Sequence, residues 1–277
     1  MENHTPYASI STGIDIYYER VGEGPPLLLI MGTGLDHSCW APQIEAYQKR
    51  FERICFDNRG TGKTEAPQGP LTTRLMAEDT LALMDRLRVD HAHVSGLSLG
   101  SCIAQELTLM RPGFVKTLQL HGAWARAHGY AARKFSAQIR LLEEMDLRSF
   151  YEINVLWFIT PEYMALHPDR VEAQIDAIVK AAPYREILKE QYRADLTHDT
   201  LERLDRIQVP TLVTVGSFDV ALPPMYGREV AEAIPGAEFV IFEGGGHLHN
   251  MEHPEEFNRV TLDFLSRHSE NRKVVLL

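Results

Sequence analysis

Six short apolar runs recur along this chain, and each closes on Gly or Asp: PPLLLIMG, ERICFD, HAHVSG, VKTLQLHG, PTLVTVG and AEFVIFEG. A continuous apolar run of that length, ended by a turn residue, suits a strand buried on both faces. GIDIYYERV, nearer the start, alternates polar and apolar residues as a half-buried strand does. Helical patterns lie between the runs. SCWAPQIEAYQKR puts Trp40, Ile44 and Tyr47 on one face. TTRLMAEDTLALMDRLR has Met76, Leu83 and Leu87 in phase, with Thr72 or Thr73 available as its cap. HPEEFNRVTLDFLSRH carries Phe257, Val260, Phe264 and Leu265 behind Pro254 and two acidic residues, a favourable first turn. Strands alternating with helices predict an α/β fold, a mostly parallel sheet covered on both faces.

The alternation stops between about Trp124 and Leu204. RKFSAQIRLLEEM, LRSFYEINVLWF, PEYMALH, DRVEAQIDAIVKAA and YREILKEQYRADL all read as helices, punctuated by Pro161, Pro168 and Pro183. A helical block between two sheet strands reads as a cap or lid. The tail NRKVVLL, either frayed or an extra packing or oligomer contact, has no assigned role.

Composition excludes several classes. The 277 residues are 44% hydrophobic and 24% charged, near the globular average, so most of the chain is expected to be ordered around a sizeable core. A net charge of -10 and the lack of long Lys/Arg runs argue against a nucleic-acid groove. Three cysteines, Cys39, Cys55 and Cys102, lack CxxC spacing, so neither a disulfide framework nor a zinc ribbon is expected. MENHTPYASI lacks the basic start and apolar stretch of a signal peptide, and LLLIM and VLWFI are far too short to span a bilayer. A cytoplasmic protein is the expectation.

GLSLG, residues 96–100, lies between the HAHVSG strand and the helix SCIAQELTLMRP. Gly-x-Ser-x-Gly in that context reads as a nucleophile elbow: the turn strains Ser98, and the glycines admit close approach of strand and helix. The Leu99 N–H, at the start of the helix, would face a developing oxyanion. A serine nucleophile needs a base, and the base needs an orienting carboxylate. Asp219 follows the strand PTLVTVG, and His247 follows AEFVIFEG and a triple-glycine loop, which gives the chain order Ser, Asp, His. Asp205, His91, His93, His249 and His253 are weaker candidates by position. His121 follows the next strand and is a candidate for the pocket floor. The loop GTGLDHSCW offers the second oxyanion donor, the N–H of Thr33 or alternatively of Gly34. DNRGTGKTEAP fails the P-loop pattern, since Asp57 stands where the opening glycine belongs; Asp57 and Arg59 are expected to bond loop backbone.

Taken together, LLLIMGTG, FDNRGTGKT, GLSLG, LVTVGSFDVALPP and GGGHLHNMEHPEEF resemble the α/β-hydrolase family over nearly the whole chain. The resemblance is nearest to a small bacterial branch of 3-oxoadipate enol-lactonases, non-haem peroxidase-like esterases and meta-cleavage-product hydrolases. It implies an eight-stranded, mostly parallel sheet with a core at 1–124 and 205–277 and a helical cap at 125–204, inserted after the sixth strand. It also implies Ser98 as nucleophile, His247 as base, Asp219 as orienter and the backbone of Leu99 and Thr33 as oxyanion hole. Where enol-lactonase-like relatives carry an Arg before a Trp-Phe pair, this chain has Leu156, which counts against an anionic acyl group.

The expected reaction is hydrolysis of a carboxylic ester or lactone through an acyl-enzyme, with no metal or organic cofactor. The same triad serves C–C bond hydrolysis, and the same fold serves a non-catalytic ligand receptor. Trp157, Phe158 and Met164 either wall an apolar substrate pocket or pack cap against core. The partner implied is a small molecule, bound by a monomer or homodimer.

Overall fold

The structure, a computed structural model, describes residues 6–67, 69–181 and 185–269; Pro183 and the NRKVVLL tail lie outside them. The chain opens with β1 (Tyr7–Ser9), β2 (Asp15–Val21) and β3 (Pro26–Ile30), then a 3-10 turn at His37–Trp40 that leads into α1 (Ala41–Tyr47). β4 (Glu52–Phe56), α2 (Thr73–Arg86), β5 (Ala92–Leu97), α3 (Leu99–Met110) and β6 (Val115–His121) follow. Five consecutive helices come next: α4 (Gly129–Glu144), α5 (Leu147–Phe158), α6 (Pro161–Leu166), α7 (Pro168–Ala181) and α8 (Arg185–Thr197). The chain returns to the sheet as β7 (Thr211–Gly216), α9 (Pro224–Ala233), β8 (Glu238–Phe242), α10 (His249–Glu252) and α11 (Pro254–Ser269). Every strand and helix expected from the apolar pattern is present. β1, α9 and α10 are additions; β1, three residues with one buried side chain, carries no periodic signal.

The strand order is β1-β2-β4-β3-β5-β6-β7-β8. β1 and β2 pair antiparallel, as do β2 and β4, and the remaining neighbours are parallel. Alternate residues of one strand face opposite layers. Leu28 and Ile30 of β3 join Val94, Leu120 and Val213 under α2, α3 and α9, while Leu27 and Leu29 join Leu97, Phe242, Trp40 and Phe257 on the other face. Both faces are therefore apolar, which is why these strands read as unbroken apolar runs. The five-helix insertion has its own core around Trp124, Phe135, Phe150 and Tyr192. Among the described residues no helix is long and apolar enough to cross a membrane.

Local chemistry sets the joints. Thr72 caps α2 by accepting from the Leu75 N–H at 3.0 Å, whereas Thr73 bonds His198 Nδ1 at 2.9 Å. Asp57 organises the loop after β4 by accepting from the backbone N–H of His37 and of Lys63, both at 2.9 Å. Arg59 does not bond loop backbone as expected; its guanidinium pairs with the buried Asp79 at 2.5 Å. A buried arginine needs a carboxylate more than it needs a carbonyl.

β3 and β5 are neighbours, but β4 follows β3 on its other side, so the chain reverses direction across the sheet at this point. Ligand crevices of open α/β sheets form at the carboxyl ends of strands at such a switch. The backbones there are close. A Cβ on Gly96 would lie 2.2 Å from the Gly100 carbonyl oxygen, and a Cβ on Gly100 would lie 2.1 Å from that of Ile30. Gly100→Ala is expected to lower stability by about 3 kcal/mol or more, a drop of roughly 6–12 °C in thermal midpoint. Gly113, with nothing near its Cβ position, serves as the control for the same substitution.

Among the described residues, four of the buried histidines are held neutral. Burial pushes His93 down to about 4, His198 to about 3, His249 to about 4, and His121 well below the ordinary range. Each takes up a proton on unfolding once the pH falls below about 6.5, the unfolded value. Stability is therefore expected to fall as the pH drops from 6.5 toward 4, by up to about 1.4 kcal/mol per pH unit for each histidine. Thermal midpoints measured across that range test this; a flat profile contradicts it.

Candidate active site

Ser98 is the single residue between β5 and α3. Its backbone sits at φ 55° and ψ -122°, a conformation that costs a side chain of order 1–3 kcal/mol. Several contacts hold it there. The Ser98 N–H donates to the His121 carbonyl at 2.8 Å. The Ser98 carbonyl accepts from both the N–H and the hydroxyl of Ser101, at 2.8 and 2.6 Å. Gly32, after β3, comes so near that a Cβ there would lie 2.9 Å from Ser98 Cβ. Leu99 opens α3, so its N–H precedes the first intrahelical hydrogen bonds.

Asp219 and His247 reach this point from the loops after β7 and β8. The loops after β7 and β8 pack backbone on backbone: a Cβ on Gly216 would meet the carbonyls of Gly245 and Gly246 at 2.2 and 2.3 Å. Asp219 Oδ1 accepts from the Leu222 N–H at 2.7 Å, which aims Oδ2 at His247 Nδ1, also at 2.7 Å. Both side chains are buried. A carboxylate on Nδ1 selects the tautomer protonated there, which leaves a lone pair on Nε2. His247 Nε2 is buried and has no hydrogen-bond partner among the described residues. The Phe158 ring stacks on the imidazole at 5.3 Å, and the Phe158 carbonyl accepts from the Leu248 N–H at 3.0 Å. On another side Gly122, at φ 55°, leaves room that a Cβ would close to 2.8 Å from His247 Cε1. The imidazole is thus held on Nδ1 and on its face, with Nε2 left over.

Ser98 and His247 line one cavity with about 10 Å³ of free space, room for about one water. The core contributes Gly32, Thr33, Leu35, Leu97 and Leu248 to its wall. The five-helix insertion contributes Lys134 and Phe135 from α4, Phe158 from α5, and Tyr192 and Asp195 from α8. Of the expected pocket residues, only Phe158 lines this cavity. Met164 packs between the insertion and the core, and Trp157 is half-buried outside the wall. His121 is not the pocket floor: its ring lies in the core, bonded to Ser95 Oγ at 3.0 Å and Thr214 Oγ1 at 2.7 Å. A histidine on a strand buried from both faces finds hydroxyls on the neighbouring strands instead of a cavity.

Helix α8 grips the loop after β3. Gln191 Oε1 accepts from the Gly34 N–H at 2.8 Å, and its amide donates to the Arg59 carbonyl at 3.1 Å and to Thr61 Oγ1 at 2.8 Å. The Gly34 N–H is therefore committed, which corrects its candidacy as an oxyanion donor. Asp195 Oδ2 accepts from the Thr33 hydroxyl at 2.7 Å. Burial pushes the Asp195 carboxyl up, against the Thr33 hydrogen bond and the attraction of Lys134. Burial likewise pushes Lys134 down, against the attraction of Asp195 and Asp219.

Lys134, Gln191 and Asp195 are the residues that sequence reasoning missed. A signal was present. Lys134 falls in phase with Gln138 and Leu142, and Asp195 with Leu188, Gln191 and Tyr192, all of them buried. A charge in register with an apolar stripe is the pattern that finds them.

The profile of the Alpha/beta hydrolase family matches residues 27–260. A protein of Azorhizobium caulinodans named as the putative carbamate hydrolase RutD is 32% identical over 94% of this chain and 97% of its own length. The solved structure of the enol-lactonase from Burkholderia xenovorans LB400 superposes with a TM-score of 0.88 at 29% identity, covering 94% of this chain and all of that one. A thermophilic esterase from Thermogutta terrifontis superposes with a TM-score of 0.85 at 26% identity, covering 95% of this chain and 100% of its own. With the profile spanning most of the chain and the strand order and elbow described above, this chain belongs to the alpha/beta hydrolase family.

Proposed function

We propose that this hydrolase cleaves a carboxylic ester or lactone of a small substrate through an acyl-enzyme on Ser98. The observation that carries the reading is the unpartnered His247 Nε2, which shares a cavity with Ser98 while Asp219 holds Nδ1. In this reading Ser98 Oγ attacks the carbonyl carbon and His247 Nε2 takes its proton. The Leu99 and Thr33 N–H groups receive the oxyanion, each worth about 3 kcal/mol in the transition state. The tetrahedral intermediate collapses as His247 protonates the leaving alcohol. Water, deprotonated by His247, then attacks the acyl carbonyl and releases Ser98. Asp219 keeps the imidazole oriented and stabilises its charged form.

Residues 125–204 act as the cap in this reading, because α4, α5 and α8 supply five of the twelve residues that line the cavity. With about 10 Å³ of free space under it, the cap has to move for substrate to enter. A second reading keeps the residues and changes the bond: the relative named a carbamate hydrolase covers nearly the whole chain, and a carbamate yields to the same attack through a carbamoyl-enzyme.

Hydrolysis of 4-nitrophenyl esters from acetyl to long-chain acyl, with a 4-nitrophenyl N-alkylcarbamate alongside, tests both readings. Wild type is expected to prefer short acyl groups. Ser98→Ala is expected to lose at least ~10³-fold in kcat while its circular dichroism stays unchanged. Activity surviving in Ser98→Ala overturns the site. A carbamate kcat/KM above that of the matching ester moves the assignment to the second reading. Asp219→Asn is expected to lose about 10³–10⁴-fold in kcat with little change in KM, because it favours the wrong tautomer of His247. A loss confined to KM contradicts the role given to Asp219.

A further inference from the structure

The acyl-transfer chemistry uses neither Lys134 nor Asp195, yet both line its cavity. Asp195 is 1% exposed. Its Oδ2 accepts from Thr33, and its Oδ1 is buried with no partner among the described residues. An unpaired buried acceptor costs about 1–3 kcal/mol, and more when it is charged. Lys134 is 6% exposed, and its Nζ lies 4.1 Å from the Phe135 ring centroid and 5.8 Å from that of Phe158. Among the described residues no carboxylate oxygen comes within 4.0 Å of it. Two opposite charges thus face the same small space without closing a salt bridge on each other. Apolar residues of like volume would pack there at less cost.

We propose that this pair selects the substrate: Asp195 Oδ1 accepts from a substrate N–H or O–H, and Lys134 Nζ donates to a substrate carboxylate. The inference rests on the Ser98 reading above and narrows its substrate class. The substrate is a compact molecule carrying a carboxylate and an N–H or O–H group within a few bonds of the scissile carbonyl. A plain aliphatic acyl group leaves both charges buried and unanswered. Leu156, the cap position that the sequence pattern points to, is 60% exposed and so faces solvent. The cation enters from α4 instead, and an anionic substrate is restored by a different element from the one the sequence pattern points to. Burial alone disfavours both charged forms; a carboxylate on Lys134 and a donor on Asp195 reverse that for each.

Two matched pairs of 4-nitrophenyl esters test the proposal. N-acetylglycine against N-acetylsarcosine removes one N–H, and hydrogen succinate against methyl succinate removes one negative charge. Wild type is expected to prefer the N–H ester and the anionic ester, each by roughly tenfold or more in kcat/KM. Asp195→Leu, which removes the acceptor at similar volume, is expected to collapse the first ratio. Lys134→Met is expected to collapse the second, and Lys134→Arg to retain it. Each ratio is taken within one variant, so a partly unfolded preparation does not distort it. If either variant fails to fold, the wild-type ratios decide, and ratios near one overturn the proposal. Ratios unchanged in the folded variants also overturn it. Either result leaves the hydrolase reading intact so long as the turnover depends on Ser98. Turnover that survives in Ser98→Ala overturns that reading instead.

Discussion

The site depends on how closely three pieces of backbone approach one another where β5 hands over to α3. Only glycine fits at 96 and 100, because the carbonyls of Gly100 and Ile30 occupy the space a Cβ would need. That contact makes the turn sharp enough for one residue to join strand and helix. The one residue is Ser98, at a positive φ that the surrounding hydrogen bonds over-determine. The parallel sheet sets the rest by placing β3, β6, β7 and β8 alongside β5 in the order found. Gly32, Gly122, Asp219 and His247 all arrive from the same edge. Interchanging two strands in that order would disperse the group even with every residue retained.

Much of this was legible from residue patterns because the constraints are local. A run buried on both faces is apolar throughout, and a turn that admits no Cβ is glycine. β1 was invisible because three residues make no period. His121 was misplaced because a position at the end of a strand does not tell which way its side chain faces. Gly34 was a fair candidate until α8, more than 150 residues away, committed its N–H to Gln191. Arg59 found Asp79 on α2, a contact that no spacing announces. His121, Gly34 and Arg59 share a cause: each was decided by a partner on another element, whereas Ser98, Asp219 and His247 stand at strand ends whose positions a parallel sheet fixes. Carbamates are likewise absent from the bond types that the motifs suggest, because a triad is indifferent to what flanks the carbonyl it attacks.

The five-helix insertion supplies part of the wall of the cavity that holds Ser98 and His247. Gln191 and Asp195 hold the backbone and side chain of the loop that carries Thr33, so any movement of α8 is felt where an oxyanion would be bound. Inside the insertion, Gln138, Asn154 and Tyr192 join α4, α5 and α8 by buried hydrogen bonds, from 2.6 Å between Gln138 and Asn154 to 3.4 Å between Gln138 and Tyr192. These bonds tie the three helices together, with Gln138 Oε1 buried and without a partner among the described residues.

The central claim, that Ser98 is the nucleophile, is tested most directly by covalent capture. The protein is treated with an alkyl fluorophosphonate, and the adduct is located by peptide mass spectrometry. One adduct per chain is expected, carried by Ser98 in GLSLG, with hydrolysis lost in proportion to labelling. An adduct on another residue, or a folded and hydrolytically active enzyme that takes no label, would contradict it.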